Sequence, residues 1–445
     1  MTGTGGGRLR RLVPYTAVEA STVLSGTANG ITMVAFPWLV LQETGDATAA
    51  ATIAAVAALP LLLSLLVSGT LVDIVGRRPM SVLADLLSML SVILVPVLAA
   101  TTGLDFGLLL VVALLGALFD APGFTARESM LPEAAAHGRV PLERANAIHE
   151  GAYGLAYLLG PGIGGVLIAS IGVIATFWAT AAAFAVSALL IAVVRIPGGG
   201  RPAAHERPRG FWRSTREGFA FLWRDRVLRT VAILSALLIG LWLPVEGVLL
   251  PVYFTEQEAP GRLGLLITAM SAGGVVGALG YGAVARRLKR RTAFSVALIG
   301  TSLPLVALAL LPPYPAMVAL GFATGLFFGP VNPITNIAMQ ERTPNPLRGR
   351  VVGAMSSAGY AAGPVGYLLA GPMVEAMGAR TAFLVLSVGL LAVCLVGAAL
   401  PALRGLDDPP RPGAVGGEPS VAAALDPDIR IVEAQGVARS LRDDG

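Results

Sequence analysis

Long apolar runs alternate with short polar breaks along this chain. The runs fall at about 18–41, 49–71, 80–100, 106–124, 145–169 and 173–194, and, after a polar stretch, at about 231–254, 263–285, 292–311, 317–339, 351–374 and 382–400. Each approaches the ~20 apolar residues that a helix needs to cross a hydrocarbon core. Backbone polar groups in lipid must be satisfied within the segment, so these runs predict helices: an all-α membrane protein with twelve transmembrane helices. The polar stretch between the two sets opens with Pro197-Gly198-Gly199-Gly200, as expected of a linker. Beyond it Trp212, Phe219, Leu222 and Trp223 recur at helical spacing among Arg213, Arg216, Glu217 and Arg224, which predicts an amphipathic helix at the membrane surface. The expected organisation is an N-terminal segment at 1–11, a six-helix bundle at 12–195, a linker with its amphipathic helix at 196–229, a second bundle at 230–402, and a Pro-, Gly- and Asp-rich disordered tail at 403–445.

Composition strengthens this reading. Of 445 residues 55% are hydrophobic and only 13% are charged, and mean hydropathy is +0.74, too apolar for a soluble enzyme, a disordered chain or a disulfide scaffold. The single cysteine, Cys394, permits no internal disulfide, and His137, His149 and His205 sit in separate segments, so no metal site and no cofactor is expected. The net charge of +5 is a matter of placement. With both termini in the cytoplasm, 30 of the 32 basic residues fall in cytoplasmic segments, and only Arg262 and Arg380 fall outside. The basic excess therefore sets orientation, and no nucleic-acid partner is expected. The N-terminal arginines lead into a full-length run, so no cleavable signal peptide is expected either. Arg far outnumbers Lys, and Ala and Gly are abundant, which suggests a GC-rich bacterial genome and hence an inner-membrane location.

The two sets of runs correspond to one another. Phe119-Asp120-Ala121-Pro122 in the fourth run has a counterpart in Phe328-Gly329-Pro330 in the tenth, and Gly160-Pro161 in the fifth in Gly363-Pro364 in the eleventh. The segment from Gly69 to Arg78 after the second has a looser copy from Gly282 to Arg291 after the eighth. The order is the same in both halves, as expected of a duplicated unit and two pseudo-symmetric six-helix bundles with a pathway between them. The glycines of the fifth run, including Gly164 and Gly165, suit close helix packing, and its proline suits bending.

Ionisable groups at membrane depth are costly, and they are functional candidates. Glu19, Asp85 and Glu150 lie near the cytoplasmic ends of their runs and Asp120 in the cytoplasmic third of the fourth, within reach of Arg77, Arg78, Arg127 and Arg144. Gate salt bridges are one reading of this group. Glu246 differs: it lies beyond the midplane of the seventh run, between Pro244 and Pro251, with no arginine at that depth. It is a candidate for carrying a proton or attracting a cationic substrate, and equally for a hydrogen-bonded acid near the outer mouth. His149 beside Glu150 suggests a relay. Asn29, Asn332 and Asn336 are cavity amides or interhelical hydrogen-bonding groups. No nucleophile-base constellation appears, so no enzyme is expected. The only lysine, Lys289, follows Leu288 rather than glycine, so no phosphate-binding loop is present and a secondary machine is expected.

The segment Gly69-Thr70-Leu71-Val72-Asp73-Ile74-Val75-Gly76-Arg77-Arg78 resembles the loop motif G-x-L-x-D-x-x-G-R-R of the major facilitator superfamily. Gly160-Pro161-Gly162-Ile163-Gly164-Gly165 is similar to the G-P-x-x-G-G element of drug:proton antiporters, with Ala156 where that motif usually has a further glycine. The run Phe119 to Pro132, followed by Ala145-Asn146-Ala147, resembles the twelve-span group that includes macrolide-efflux proteins and the enterobactin exporter. The resemblance covers about 12–402. It implies alternating access between the two halves, most often driven by protons, in a protein that works as a monomer. It also implies that Asp73 faces the start of the eleventh helix, where an arginine such as Arg127 holds an inner gate shut. Gly69, Asp73, Gly76, Arg77, Arg78, Arg127, Gly160, Pro161, Gly164, Gly165, Gly363 and Pro364 are then gating residues, and Glu246, Glu150, Asp120, Asn29, Asn332 and Asn336 candidates for proton coupling or substrate. Export of an amphipathic small molecule in exchange for protons is expected; an uncoupled facilitator or importer, and a non-transporting sensor or scaffold, are the alternatives.

Overall fold

The computed structural model describes residues 4–195, 211–344 and 347–407. Of the tail expected to be disordered at 403–445, residues 403–407 are described, and Leu403 and Leu406 are buried in a short helical turn at Pro401–Leu406; 408–445, and the linker at 196–210, lie outside the described residues. The helices are α1 (Thr4–Thr44), α2 (Ala47–Val75), α3 (Arg77–Thr101), α4 (Phe106–Gly138), α5 (Leu142–Ile171), α6 (Val173–Val193), α7 (Phe211–Arg224), α8 (Arg226–Pro244), α9 (Leu250–Thr255), α10 (Pro260–Val284), α11 (Arg290–Ala309), α12 (Tyr314–Phe328), α13 (Val331–Arg342), α14 (Arg348–Met377) and α15 (Ala379–Ala399). Among the described residues, ten stretches of helix are long and apolar enough to cross a membrane; α8 with α9, and α12 with α13, each count as one of them. α2 and α14 stand where the other two runs were expected. Helix α1 starts well before its apolar run, because hydropathy marks the lipid-crossing length and not the hydrogen-bonded length.

Two expected helices are interrupted, each where proline removes a donor. In the seventh, Pro251 cannot bond one turn back, and Val245–Leu249 widens into a π turn in which the Leu250 N–H donates to the Val245 carbonyl. In the tenth, Gly329 and Pro330 separate α12 from α13. The α2–α3 corner is tight: Gly76 takes φ +104°, a left-handed-side value that a side chain would strain, and its N–H closes α2 on Val72.

Lipid supplies no hydrophobic drive between helices, so packing depends on backbones that approach closely. In the first half α1 packs on α4, α5 and α6, and α3 on α4 and α6; in the second α14 packs on α8, and α11 on α12 and α15. Across the halves α5 packs on α10 and α2 on α14. Helix α7 covers the stretch in which the amphipathic helix was expected. Leu222 is buried in a cluster with Leu228, Met339 and Val351, Glu217 pairs with Arg350, and Trp223 stays exposed.

Candidate functional site

The G-P-x-x-G-G element turns out to be a two-sided seam. On one side a Cβ on Gly160 would lie 2.7 Å from the Gly30 Cα, and one on Gly164 3.1 Å from Ile31, so both face α1. On the other, a Cβ on Gly165 would meet the Pro260 carbonyl at 2.5 Å and one on Gly162 the Thr268 hydroxyl at 2.5 Å, so these face α10. The second half repeats the device. Gly363 and Gly366 lie against Leu243 and Gly240 of α8, and Gly371 against Thr48 and Ala51 of α2. Pro364 is buried between them. These cross-half approaches lie away from the end of the molecule that carries most of the arginines.

Between the halves sits a cavity of about 370 Å³. Asn29, Phe36, Ser88, Asp120 and Tyr157 line it from the first half, and Leu243, Gly247, Tyr360 and Tyr367 from the second. Its wall is mostly apolar and aromatic. Asp120 is the one acid among the described residues lining it, and no basic side chain joins it. The Asp120 carboxylate accepts a hydrogen bond from the Ser88 hydroxyl at 3.3 Å. One turn along α4, Phe124 packs on Tyr153 with ring centroids 4.8 Å apart, and Tyr153 on Tyr157 at 4.9 Å, which extends an aromatic wall from beside the acid. Such a wall, with a single carboxylate, can hold a cation by charge and by ring quadrupole.

Roughly 10 Å from Asp120 along α4, by helical rise, Arg127 anchors a separate buried network. Its guanidinium donates to Asp85 at 3.0 Å and to the Ser25 hydroxyl at 3.1 Å. Asp85 also accepts from Ser25 at 2.9 Å and from Ser187 at 2.6 Å, so α1, α3, α4 and α6 share one ion pair. The structure thus gives Arg127 to Asp85 rather than to an inner gate with Asp73. Asp73 is half-buried with no hydrogen bond or ion pair among the described residues. Arg77 pairs with Glu133 at 2.5 Å, and Arg78 donates to the Ile191 and Ala192 carbonyls, closing the end of α6. The surroundings of Gly69 lie outside the described residues.

His149 is buried, with Nδ1 3.3 Å from a Glu19 oxygen; its expected partner, Glu150, points outward and is exposed. Neighbouring helical positions diverge, whereas α1 runs alongside α5. Asn332 and Asn336 are exposed on α13, outside the cavity wall. Glu246 sits in the π turn beside the cavity, its neighbour Gly247 lining the wall under the Tyr367 ring. It accepts a hydrogen bond from Trp242 Nε1 at 3.0 Å. Sequence reasoning missed Tyr157, Tyr360 and Tyr367. A tyrosine in an otherwise aliphatic span was the available signal.

A helical bundle with a cavity between its halves suits a transporter, and a match along the chain decides the matter. The family model for transmembrane secretion effectors matches residues 11–433. The chain belongs to that family, within the major facilitator superfamily. Transmembrane secretion effectors are transporters, not enzymes. The chain is 45% identical over 397 residues to the multidrug efflux pump Tap of Mycolicibacterium fortuitum, covering 88% of this chain and 97% of that one. It is 45% identical over 401 residues to Tap of Mycobacterium tuberculosis, covering 89% and 96%. To the enterobactin exporter EntS of Escherichia coli it is 27% identical over 301 residues, covering 64% and 69%. In fold it resembles the nucleoside transporter NupG, with a TM-score of 0.70 at 12% identity over 86% of this chain and 98% of that one. A bacterial homologue of the lysosomal transporter Spinster, solved inward-facing and unoccupied, aligns with a TM-score of 0.67 at 13% identity over 91% and 99%. The superfamily resemblance read from the loop motif therefore stands.

Proposed function

We propose that this transporter exports amphipathic cations from the cytoplasm of a bacterium in exchange for protons, by alternating access between two six-helix bundles. The observation that carries the reading is the cavity walled by both halves, in which Asp120 is the one acid among the described lining residues, beside aromatic rings. Multidrug efflux by the similar Tap pumps supports the cargo class. Counting α2 and α14 as spans gives twelve, and the repeated seams support two related bundles: α5 touches α1 and α10 as α14 touches α8 and α2. The arginine distribution supports cytoplasmic termini in an inner membrane, which makes the seams the outer closure of the cavity. Gly76, Arg77, Arg78, Gly160, Pro161, Gly165, Gly363 and Pro364 are assigned to the corners and seams that move, and Asp73, with no partner among the described residues, to the gate at the start of the eleventh span.

Glu246 is assigned to proton coupling, because it is a carboxylate within the span and its one described partner is a neutral indole. Efflux of a lipophilic cationic dye from energised cells tests the assignment. The expected result is protonophore-sensitive efflux by the native chain and its loss in Glu246→Gln at matched expression. Efflux indifferent to both protonophore and substitution would overturn the coupling claim.

A further inference from the structure

Two breaks interrupt the second half, the π turn of the seventh span and the Gly329-Pro330 step of the tenth, and a pair of rings joins them. Trp242 precedes the π turn by one turn of helix. Its indole stacks on Phe328, with centroids 5.6 Å apart and planes inclined by 16°. Phe328 is the last residue of α12 before the break. The same indole gives its Nε1–H to Glu246, inside the π turn. One side chain is thus held at its edge by an acid and at its face by the terminal residue of another broken helix.

We infer that Trp242 and Phe328 are positioning residues which carry the state of Glu246 from the π turn to the break in the tenth span. An ionised carboxylate accepts the indole N–H in a charge-assisted bond, stronger than a neutral one. When Glu246 takes up a proton from the aqueous side, the carboxylate becomes a carboxylic acid, no other bond forms or breaks, and the charge that held the indole edge is gone. The neutral acid accepts the N–H more weakly through its carbonyl oxygen, and the indole can then slide on the Phe328 ring, for which offset positions are close in energy. Helices with local breaks are the parts of a packed bundle that can switch between discrete arrangements. Backbone widening at Val245–Leu249 and the missing proline donor at Pro330 place two such parts at the ends of this linkage.

This inference rests on the assignment of Glu246 to proton coupling. The test uses full-length protein in proteoliposomes, with dye transport measured between pH 5.5 and 8.5 for Trp242→Phe, Phe328→Leu, Glu246→Gln and the double variant Trp242→Phe with Glu246→Gln. Phe at 242 keeps a ring for stacking but has no donor; Leu at 328 keeps bulk but has no ring. The expected result is a flattened pH profile in all three single variants, with transport at neutral pH reduced roughly ten-fold or more in Trp242→Phe, which loses a charge-assisted hydrogen bond, and about three-fold or more in Phe328→Leu, which loses a ring contact, and a double variant no worse than Glu246→Gln alone. Trp242→Phe and Phe328→Leu profiles that follow the native one, or losses that add to that of Glu246→Gln, would overturn the inference while leaving Glu246 in place. A native profile in Glu246→Gln would instead mark the failure of the coupling assignment. If one single variant does not insert, the other carries the test, because each removes a different contact.

Discussion

Asparagine in place of Asp120 is expected to lower export of a lipophilic cation about ten-fold or more, and to leave export of a neutral amphipath nearly unchanged. The reasoning is electrostatic. Asp120 is the one acid in the described cavity wall, facing an aromatic lining, and a cation that loses a charged hydrogen-bonding partner gives up ~1.5–3 kcal/mol, against about 1.4 kcal/mol for each ten-fold. Folding gives no competing explanation. The hydrogen bond that Asp120 accepts, from Ser88 at 3.3 Å, is one that an amide oxygen also accepts. Paired efflux assays with a cationic and a neutral cargo at matched expression check the expectation. Equal losses for both cargoes would move Asp120 from substrate recognition to the transport cycle itself.

The second large effect is on stability. Arg127 and Asp85 are both buried and their ion pair ties four helices together. Arg127→Ala leaves Asp85 with two serine hydroxyls and no cation, and removal of one partner from a buried pair costs about 3–5 kcal/mol. The expected outcome is a steep fall in folded yield and in the detergent melting temperature. The double variant Arg127→Gln with Asp85→Asn carries no uncompensated charge and is expected to recover much of the loss. A fluorescence-detected size-exclusion assay with a heat step separates the three proteins. Arg127→Ala at native stability would show that the pair is dispensable to the fold.

Much of the fold is legible in one dimension, because the lipid-crossing condition acts on local sequence. The run at 173–194 marks α6 well and the one ending at Leu41 marks the end of α1 but not its start, and Pro244, Glu246 and Pro251 announce that the seventh span is irregular. The form of the irregularity is not readable there, since a π turn depends on how the carbonyl before Pro251 is relieved. The glycines from Gly160 to Gly165 are conspicuous in the sequence, yet which of them face α1 and which α10 depends on the neighbours, supplied by chain more than a hundred residues away on one side. Pairing is the least legible feature. Arg127 appears free for Asp73 when only spacing is considered, but α3 presents Asp85 at the same depth, and Ser25 and Ser187 close the shell around it. For the same reason His149 meets Glu19 of α1 and not its sequence neighbour. The acids are visible in the sequence, and their partners belong to the packing.

The central claim is proton-coupled export, and transport by the purified chain in liposomes under an imposed pH gradient tests it most directly. The account expects a cationic dye to accumulate on the acidic side, with protons moving the other way only when dye is present, and both the accumulation and the proton flux lost in Glu246→Gln, which keeps only slow uncoupled dye movement. Dye movement that ignores the gradient and draws no proton flux would contradict it.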